Sequence, residues 1–475
     1  MTALAGTLAS ARAAALRPAH EPLAEPALRT LRGTLDGDVL VAGNRGYDEY
    51  RGIQNLHYES RPAVIVRPAS AIDVARTVRV ARELDLELTV RSGGHSMAGH
   101  TAAKGGLLLD MRSLNQVAID PIRWTGSAGG GTLAGEYTLA AAEHGFATPF
   151  GDAATVGLGG LTTGGGIGWL SRKHGLTIDN LLEADVVTAD GEVRTVSAVR
   201  EPELFWAIRG GGGNFGIVTR FQYRLHPVSM VTGGALFLPL TKPVLRGLVD
   251  ASLEAPDALT AITMVMPLPP APFVPQELVG TPAVMMLPVF AGPLDQGEAA
   301  MAPFRALATP LIDMVGPMPY HAMYELTAGA SEPGSEVIRS SFLPDLDEAA
   351  LDAIVERHHQ PAANVLQLTQ IRVLGGAVSR IPAGATAFAH RESPVLVAAL
   401  SQVMGDWDAA VAETEAYHAQ LAGGATGVYA NFLGDEGEAR ARQAYPGPTY
   451  ERLVRAKRRY DPDNVFHANQ NIKPS

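Results

Sequence analysis

The chain has 475 residues, 46% of them hydrophobic and 6% aromatic, with a net charge of −11. That length exceeds what one core usually serves and predicts two domains, while the acidic balance argues against nucleic acid as a general partner. The absence of cysteine excludes disulfides, thiolate metal sites and cysteine nucleophiles, and no run reaches the ~20 apolar residues of a membrane span.

The first stretch, Met1 to Pro26, is alanine-rich with Arg12 and Arg17. It lacks a basic stretch ahead of a long apolar core. It reads as a flexible tail over residues 1–30 rather than a signal peptide, which predicts a cytoplasmic location. Ala63 to Val66 reads as a buried strand. Ser70 is placed to cap the next helix, with Asp73 three residues on as a weak capping box, and Val74, Val78 and Ala81 give that helix an apolar face. Leu86 to Val90 is the second strand of this β-α-β unit and Leu107 to Met111 a third strand. A helix follows over residues 132–144.

The loop after the second strand runs Arg91-Ser92-Gly93-Gly94-His95-Ser96-Met97-Ala98-Gly99-His100. Adjacent glycines let the backbone approach a ligand, and turned amides form an anion-binding nest that Arg91 would reinforce. His95 can be a nucleophile, a base beside the ligand, or an ordinary turn residue. The spacing of His95 and His100 fits no common metal motif, so no metal is expected.

The run from Val156 to Trp169 carries seven glycines, after Gly129-Gly130-Gly131. It is either a second ligand loop or a tight packing loop. Asp185–Ala189 and Val193–Ser197 flank Asp190-Gly191, a hairpin signal. Gly211 to Gly216 matches G-x-G-x-x-G, but a helical stretch precedes it and the strand Ile217 to Leu225 follows. The order is the reverse of a dinucleotide fingerprint, so a Rossmann fold is disfavoured, and no P-loop motif is present.

After His226-Pro227 the texture changes. Strands are predicted at Gly234 to Leu240, Leu259 to Met266, Val284 to Phe290, Val365 to Leu374 and Val395 to Val403. Helices are predicted near residues 242–253, 296–307, 348–357 and 407–421. This is a second α+β domain with an antiparallel sheet. Met264, Met266, Met285, Met286, Phe290, Met318, Tyr320 and Tyr324 suggest an apolar, aromatic-lined pocket there; ordinary sheet core is the competing reading. The last fifty residues, with Tyr429 and Asn431, change character again.

Taken together these motifs resemble the FAD-linked oxidases of the vanillyl-alcohol-oxidase superfamily, with a PCMH-type FAD-binding domain, and within it the bacterial berberine-bridge-enzyme-like branch. The carriers are Arg91 to Ser96, Thr155 to Leu176, Glu203 to Gly216, the Leu374-Gly375-Gly376 and His390-Arg391 segments, and Tyr460 to Phe466 with Asn469 to Ile472. The likeness runs from about Tyr47 to the end. It implies an α+β fold: a two-part FAD-binding domain over residues 31–227, a separate substrate domain over 228–425 built on an antiparallel sheet flanked by helices, and a C-terminal segment over 426–475 returning to the first.

Residue by residue, the resemblance implies that His95 bonds covalently to the flavin. Many relatives add a cysteine just before a Thr-Val-Gly stretch; Ala153 stands there in this chain, so FAD is expected to be held covalently through His95 only. Further cofactor contacts are implied for Arg91, Ser92, Gly93, Gly94, Ser96, Gly99 and His100, for Val156, Gly157, Gly160, Thr163, Gly164, Gly166 and Gly168, and for Asn214, Gly216, Val218, Asn431 and Asn469. The family's base on the strand after the His-Arg pair has no counterpart in Val395 to Leu400, which leaves Tyr429 as the candidate catalytic residue. The implied activity is an oxidase that takes a hydride from a C–H next to oxygen or nitrogen and reduces molecular oxygen to hydrogen peroxide. The expected substrate is a small aromatic, polyketide-like or alkaloid-like molecule. A dehydrogenase of the same fold, and a flavin-binding protein without turnover, are the alternatives. The sequence carries no signal of oligomeric state.

Overall fold

The computed structural model describes residues 23–475. Most of the expected tail lies outside the described residues, but its inner end is corrected. Glu25–Thr34 is helical, with Leu28 and Leu31 on one turn-spaced face buried in the first core.

Four strands form the first sheet, in the order Asp38–Leu40, Val64–Arg67, Leu107–Asp110, Leu88–Arg91. The last three are parallel. Leu107–Asp110 inserts between the two strands of the β-α-β unit, and every side chain of Val64–Val66 and Leu107–Leu109 is fully buried. Burying each such aliphatic side chain stabilises by ~1.5–3 kcal/mol, which fixes the sheet that aims the Arg91–His100 loop. The connecting helix, Ala71–Glu83, is capped as expected by Ser70 Oγ, which accepts the Asp73 N–H at 3.3 Å. The reciprocal half of the capping box is absent. The Asp73 carboxylate instead accepts the N–H groups of Asp36, Gly37 and Ala69, because it is fully buried against the preceding turn.

A five-stranded antiparallel sheet follows, containing the hairpin Leu181–Val187/Val193–Ser197 and the strand Ile217–Arg224 at its centre. Phe221, Tyr223 and Leu225 point into the core, as the alternation predicts.

The second half is a nine-stranded antiparallel sheet. Its long strands, Leu259–Pro267, Pro282–Phe290, Val365–Val373 and Val395–Val403, fall within two residues of expectation. Glu336–Leu343 is an edge strand that hydropathy alone did not mark. The helices Lys242–Glu254, Glu348–His359 and Trp407–Leu421 cover one face through Leu245, Leu248, Leu351, Ile354 and Tyr417. The other face turns toward the first half.

Buried arginines join the halves. Arg391 makes a two-pronged pair with Asp179 at 2.7 Å and 2.7 Å and also donates to Thr386. Arg372 reaches Asp152 at 2.8 Å. Near the end, Lys457 is fully buried and donates to Asp461, to the Asn214 carbonyl and to the Phe466 carbonyl. That network explains why Asp461-Pro-Asp-Asn-Val-Phe466 folds back onto the glycine cluster of the first half.

Candidate active site

A cavity of about 1030 Å³ lies between the two halves. Loops of the first half and the open face of the large sheet line it, together with Tyr429, Ala430, Asn431, Phe432, Tyr445, Phe466, Asn469 and Gln470 from the C-terminal segment. Sixteen of the residues expected at the site face it: Ser92, Gly93, Gly94, His95, Ser96, His100, Val156, Gly157, Gly160, Thr163, Asn214, Gly216, Val218, Tyr429, Asn431 and Asn469.

Five do not, and the reason is packing. Arg91 sits beneath the loop and donates to the Tyr50 carbonyl at 2.9 Å. Gly99 lies flat against the Tyr58 ring; Gly164 is closed by Asn431, Gly166 by Thr177, and Gly168 by the Phe150 carbonyl. These five pack against protein and do not line the cavity. The seven-glycine run is thus both things the sequence allowed. A Cβ at Gly93 would strike the backbone of Gly157, and one at Gly157 would strike Gly93 and Ser92, so these two loops meet backbone to backbone. A Cβ on Gly160 would meet nothing within 4 Å. Gly160 faces open cavity.

His95 leads the first loop. One ring nitrogen, Nε2, pairs with Thr155 Oγ1 at 2.8 Å, which fixes the ring. Burial, then the Arg91 charge, push its pKa down to about 4. The imidazole is therefore neutral at pH 7, the form with a nucleophilic lone pair. His100 is likewise depressed to about 4, by burial. Its Nε2 and the Oδ1 of Asn469 are buried without a hydrogen-bond partner among the described residues. Orphaned polar atoms facing a cavity, beside a glycine with free space in front of it, are what a polar cofactor would complete.

Tyr429 is buried between Phe388, Phe342 and Phe432. Its hydroxyl oxygen accepts the Gly166 N–H at 2.9 Å and the Asn431 Nδ2–H at 3.1 Å. Burial raises its pKa; the two donors and the Arg372 charge pull the other way but do not prevail. The phenol is protonated at neutral pH.

A family model described as "FAD binding domain" matches residues 62–197, and one described as "Berberine and berberine like" matches residues 428–473. (R)-6-hydroxynicotine oxidase of Paenarthrobacter nicotinovorans is 32% identical over 93% of this chain and 97% of its own length. The chain belongs to the berberine-bridge-enzyme-like branch of the vanillyl-alcohol-oxidase superfamily. It is an FAD-linked oxidoreductase. An uncharacterized FAD-linked oxidoreductase of Bacillus subtilis is 30% identical over 93% of the chain and 97% of its own length. The crystal structure of 6-hydroxy-D-nicotine oxidase from Arthrobacter nicotinovorans superposes with a TM-score of 0.82 at 29% identity, covering 95% of this chain and all of that one. Xylooligosaccharide oxidase of Myceliophthora thermophila, at 24% identity and a TM-score of 0.83, shares the fold.

Within this flavoprotein the large sheet supplies a side of the site that the motifs did not reveal. Strand register lays its cavity face out in rows. Glu336, Gln402 and Leu366 are paired neighbours in the first row, and Ile338, Leu400 and Leu368 in the second. Gln370, Met264, Met285 and Phe237 belong to the third. All of these line the cavity. Among the expected pocket residues, Met264, Met266 and Met285 are there. Met286 and Phe290 lie on the opposite, helix-covered face, and Tyr320 and Tyr324 lie in the core, while Met318 does not line the cavity. The period-2 alternation Leu366, Leu368, Gln370, Arg372 was the available signal. The strand Val395–Val403 contributes Leu400, Ser401 and Gln402 and no carboxylate, in keeping with the missing family base.

No helix among the described residues is long and apolar enough to cross a membrane.

Proposed function

We propose that the protein is an FAD-dependent oxidase of a small molecule, with FAD held covalently through His95 alone and Tyr429 as the catalytic residue. The observation that carries the reading is that a neutral, fixed His95 and Tyr429 line one cavity. When bound, FAD supplies the redox chemistry, taking a hydride from a C–H next to oxygen or nitrogen and passing the electrons to molecular oxygen to give hydrogen peroxide. Ser92, Gly93, Gly94, Ser96, His100, Val156, Gly157, Gly160, Thr163, Asn214, Gly216, Val218, Asn431 and Asn469 would hold the cofactor. Residues 31–227 and 426–475 form the cofactor-binding part and 228–425 the substrate domain.

Glucooligosaccharide oxidase of Acremonium strictum carries a 6-S-cysteinyl, 8α-N1-histidyl FAD. Here Ala153 lines the cavity and the chain has no cysteine, so a single histidyl bond is the form its residues allow. His95 reaches that bond as a neutral nucleophile, steadied by Thr155. Tyr429 holds its proton at Oη at rest. To take a proton from a substrate it must first be a phenolate, which the Gly166 and Asn431 donors and Arg372 favour and burial opposes. The sheet face of Met264, Met266, Leu366 and Leu368 would exclude water around an apolar substrate, aromatic or alkaloid-like. A cytoplasmic location completes the reading.

The test is anaerobic reduction of the bound flavin by a panel of aromatic, alkaloid-like and sugar compounds, followed by air and a peroxide assay. An oxidase bleaches with substrate and recovers within seconds with peroxide release. Reduced flavin that persists for minutes in air makes the protein a dehydrogenase. A flavoprotein that no compound reduces is a binding protein without turnover.

A further inference from the structure

The cavity's charges do not balance. Arg372 is the only Arg or Lys among the described residues lining it, and Asp152 already pairs with that guanidinium. Glu332 and Glu336 also line the cavity; Glu332 is exposed, and among the described residues no donor or cation engages the carboxylate of the more buried Glu336. Burial alone raises its pKa, with no charge or hydrogen bond acting against it. Its backbone is anchored from the first half. Asn55, itself almost fully buried, donates Nδ2–H to the Glu336 carbonyl at 2.8 Å and accepts the Glu336 N–H at 3.4 Å. The Glu336 backbone is therefore fixed at a junction of both halves, while its carboxylate has no partner among the described residues. A half-buried carboxylate facing apolar walls is costly unless a ligand supplies the counter-charge.

We propose that Glu336 is the specificity determinant of this cavity and that the substrate is an apolar molecule bearing one amine, cationic at neutral pH, which Glu336 pairs with. The proposal rests on the small-molecule oxidase reading above and adds to it a substrate class and a binding direction. Glu336 lies in the outermost row, paired with the exposed Gln402, which in turn pairs with Leu366, 39% exposed, so the cation binds at the mouth. Ile338, Leu368 and Leu400 in the next row hold the apolar body. Gln370 lies four positions on from Leu366, about 13 Å along the strand at ~3.3 Å per residue. Gln370 accepts from Arg372, whose charge reaches Tyr429, so the row of Gln370 marks the reacting end. The recognised cation is thus remote from the C–H that is oxidised, and its positive charge does not oppose hydride loss there.

The experiment measures binding, not turnover. Phenylbutylamine and its neutral counterpart phenylbutanol are titrated into the holoprotein, followed by the flavin absorbance difference and by calorimetry. The wild type should bind the amine at least about tenfold more tightly, the worth of one charged hydrogen bond. Glu336→Gln, with unchanged flavin content, should bring the two affinities together. Gln402→Lys, which sets a cation beside the carboxylate at an exposed position, should do the same while leaving Glu336 in place. Equal affinities in the wild type, or a preference that survives Glu336→Gln or Gln402→Lys, would overturn the proposal. Because no turnover is read, a flavin that no substrate reduces would defeat the oxidase reading and leave this result standing.

Discussion

The two walls of the cavity are built by opposite means. The wall proposed for the cofactor is largely backbone: glycine loops that touch each other, with His95, His100 and Asp152 among its ionisable side chains. The substrate wall is side chain: rows of Met, Leu, Phe, Gln and Glu on a rigid sheet. Where the first kind of wall packs loop on loop, as at Gly93 and Gly157, it tolerates almost no substitution, because a Cβ has nowhere to go. The second can change its side chains without moving its strands. One fold can therefore keep one cofactor and accept many substrates.

That contrast can be broken or sharpened by substitution. The largest effect is expected for Gly93→Ala, whose Cβ runs into the Gly157 backbone and the Thr155 carbonyl. Neither neighbour is a flexible side chain, so holoprotein yield should collapse; normal yield and flavin content would mean the loops can separate cheaply. Tyr429→Phe comes next. Flavin reduction should slow by about a hundredfold, the usual worth of a proton-transferring residue, with flavin content unchanged. The wild-type rate should also rise with pH without levelling off below the ordinary tyrosine value of 10.0, since burial raises this phenol's pKa. A rate that is flat with pH and unaffected by Tyr429→Phe would remove Tyr429 from the chemistry.

The third prediction concerns stability in acid. His358 and His418 of the substrate half are depressed from 6.5 to about 4, by burial and by Arg357 or Arg440 respectively. Both are neutral when folded and take a proton on unfolding. Their contribution is complete above pH 6.5 and is lost as pH falls toward 4, with a limiting slope of about 1.4 kcal/mol per pH unit for each group. Chemical unfolding at stepped pH should show this slope, and His358→Gln should reduce it. The smallest effect is reserved for Gly160→Ala. Its Cβ enters open cavity, so the protein should fold as the wild type does and lose only flavin affinity, severalfold. A loss of folding there would erase the distinction between packed and cofactor-facing glycines.

The same contrast explains what the sequence disclosed. The cofactor wall was legible because backbone-facing loops need glycine, and glycine clusters stand out: Gly93-Gly94, the run through Gly168 and Gly211 to Gly216. What the letters could not say was which glycine meets protein and which meets cavity, since Gly160 and Gly168 differ only in what lies opposite. The long strands of the substrate half were legible from β-branched runs, and Val395–Val403 falls where expected. Their register was not. Met285 and Met286 are adjacent, yet one lines the cavity and the other the helix-covered core, a choice made by pairing with Met264 and Thr263 across the sheet. Glu336 escaped notice because an acidic residue at a strand start usually faces solvent. Its burial depends on Asn55, 281 positions away.

The most direct test of the central claim is mass spectrometry of the denatured protein, paired with in-gel flavin fluorescence. The wild-type chain should carry the mass of one FAD, mapped to the peptide containing His95, and fluoresce after denaturation. His95→Ala should show the bare polypeptide mass and a dark band. A flavin that remains attached in His95→Ala, or a wild-type chain of bare mass purified with stoichiometric FAD, would contradict the assignment.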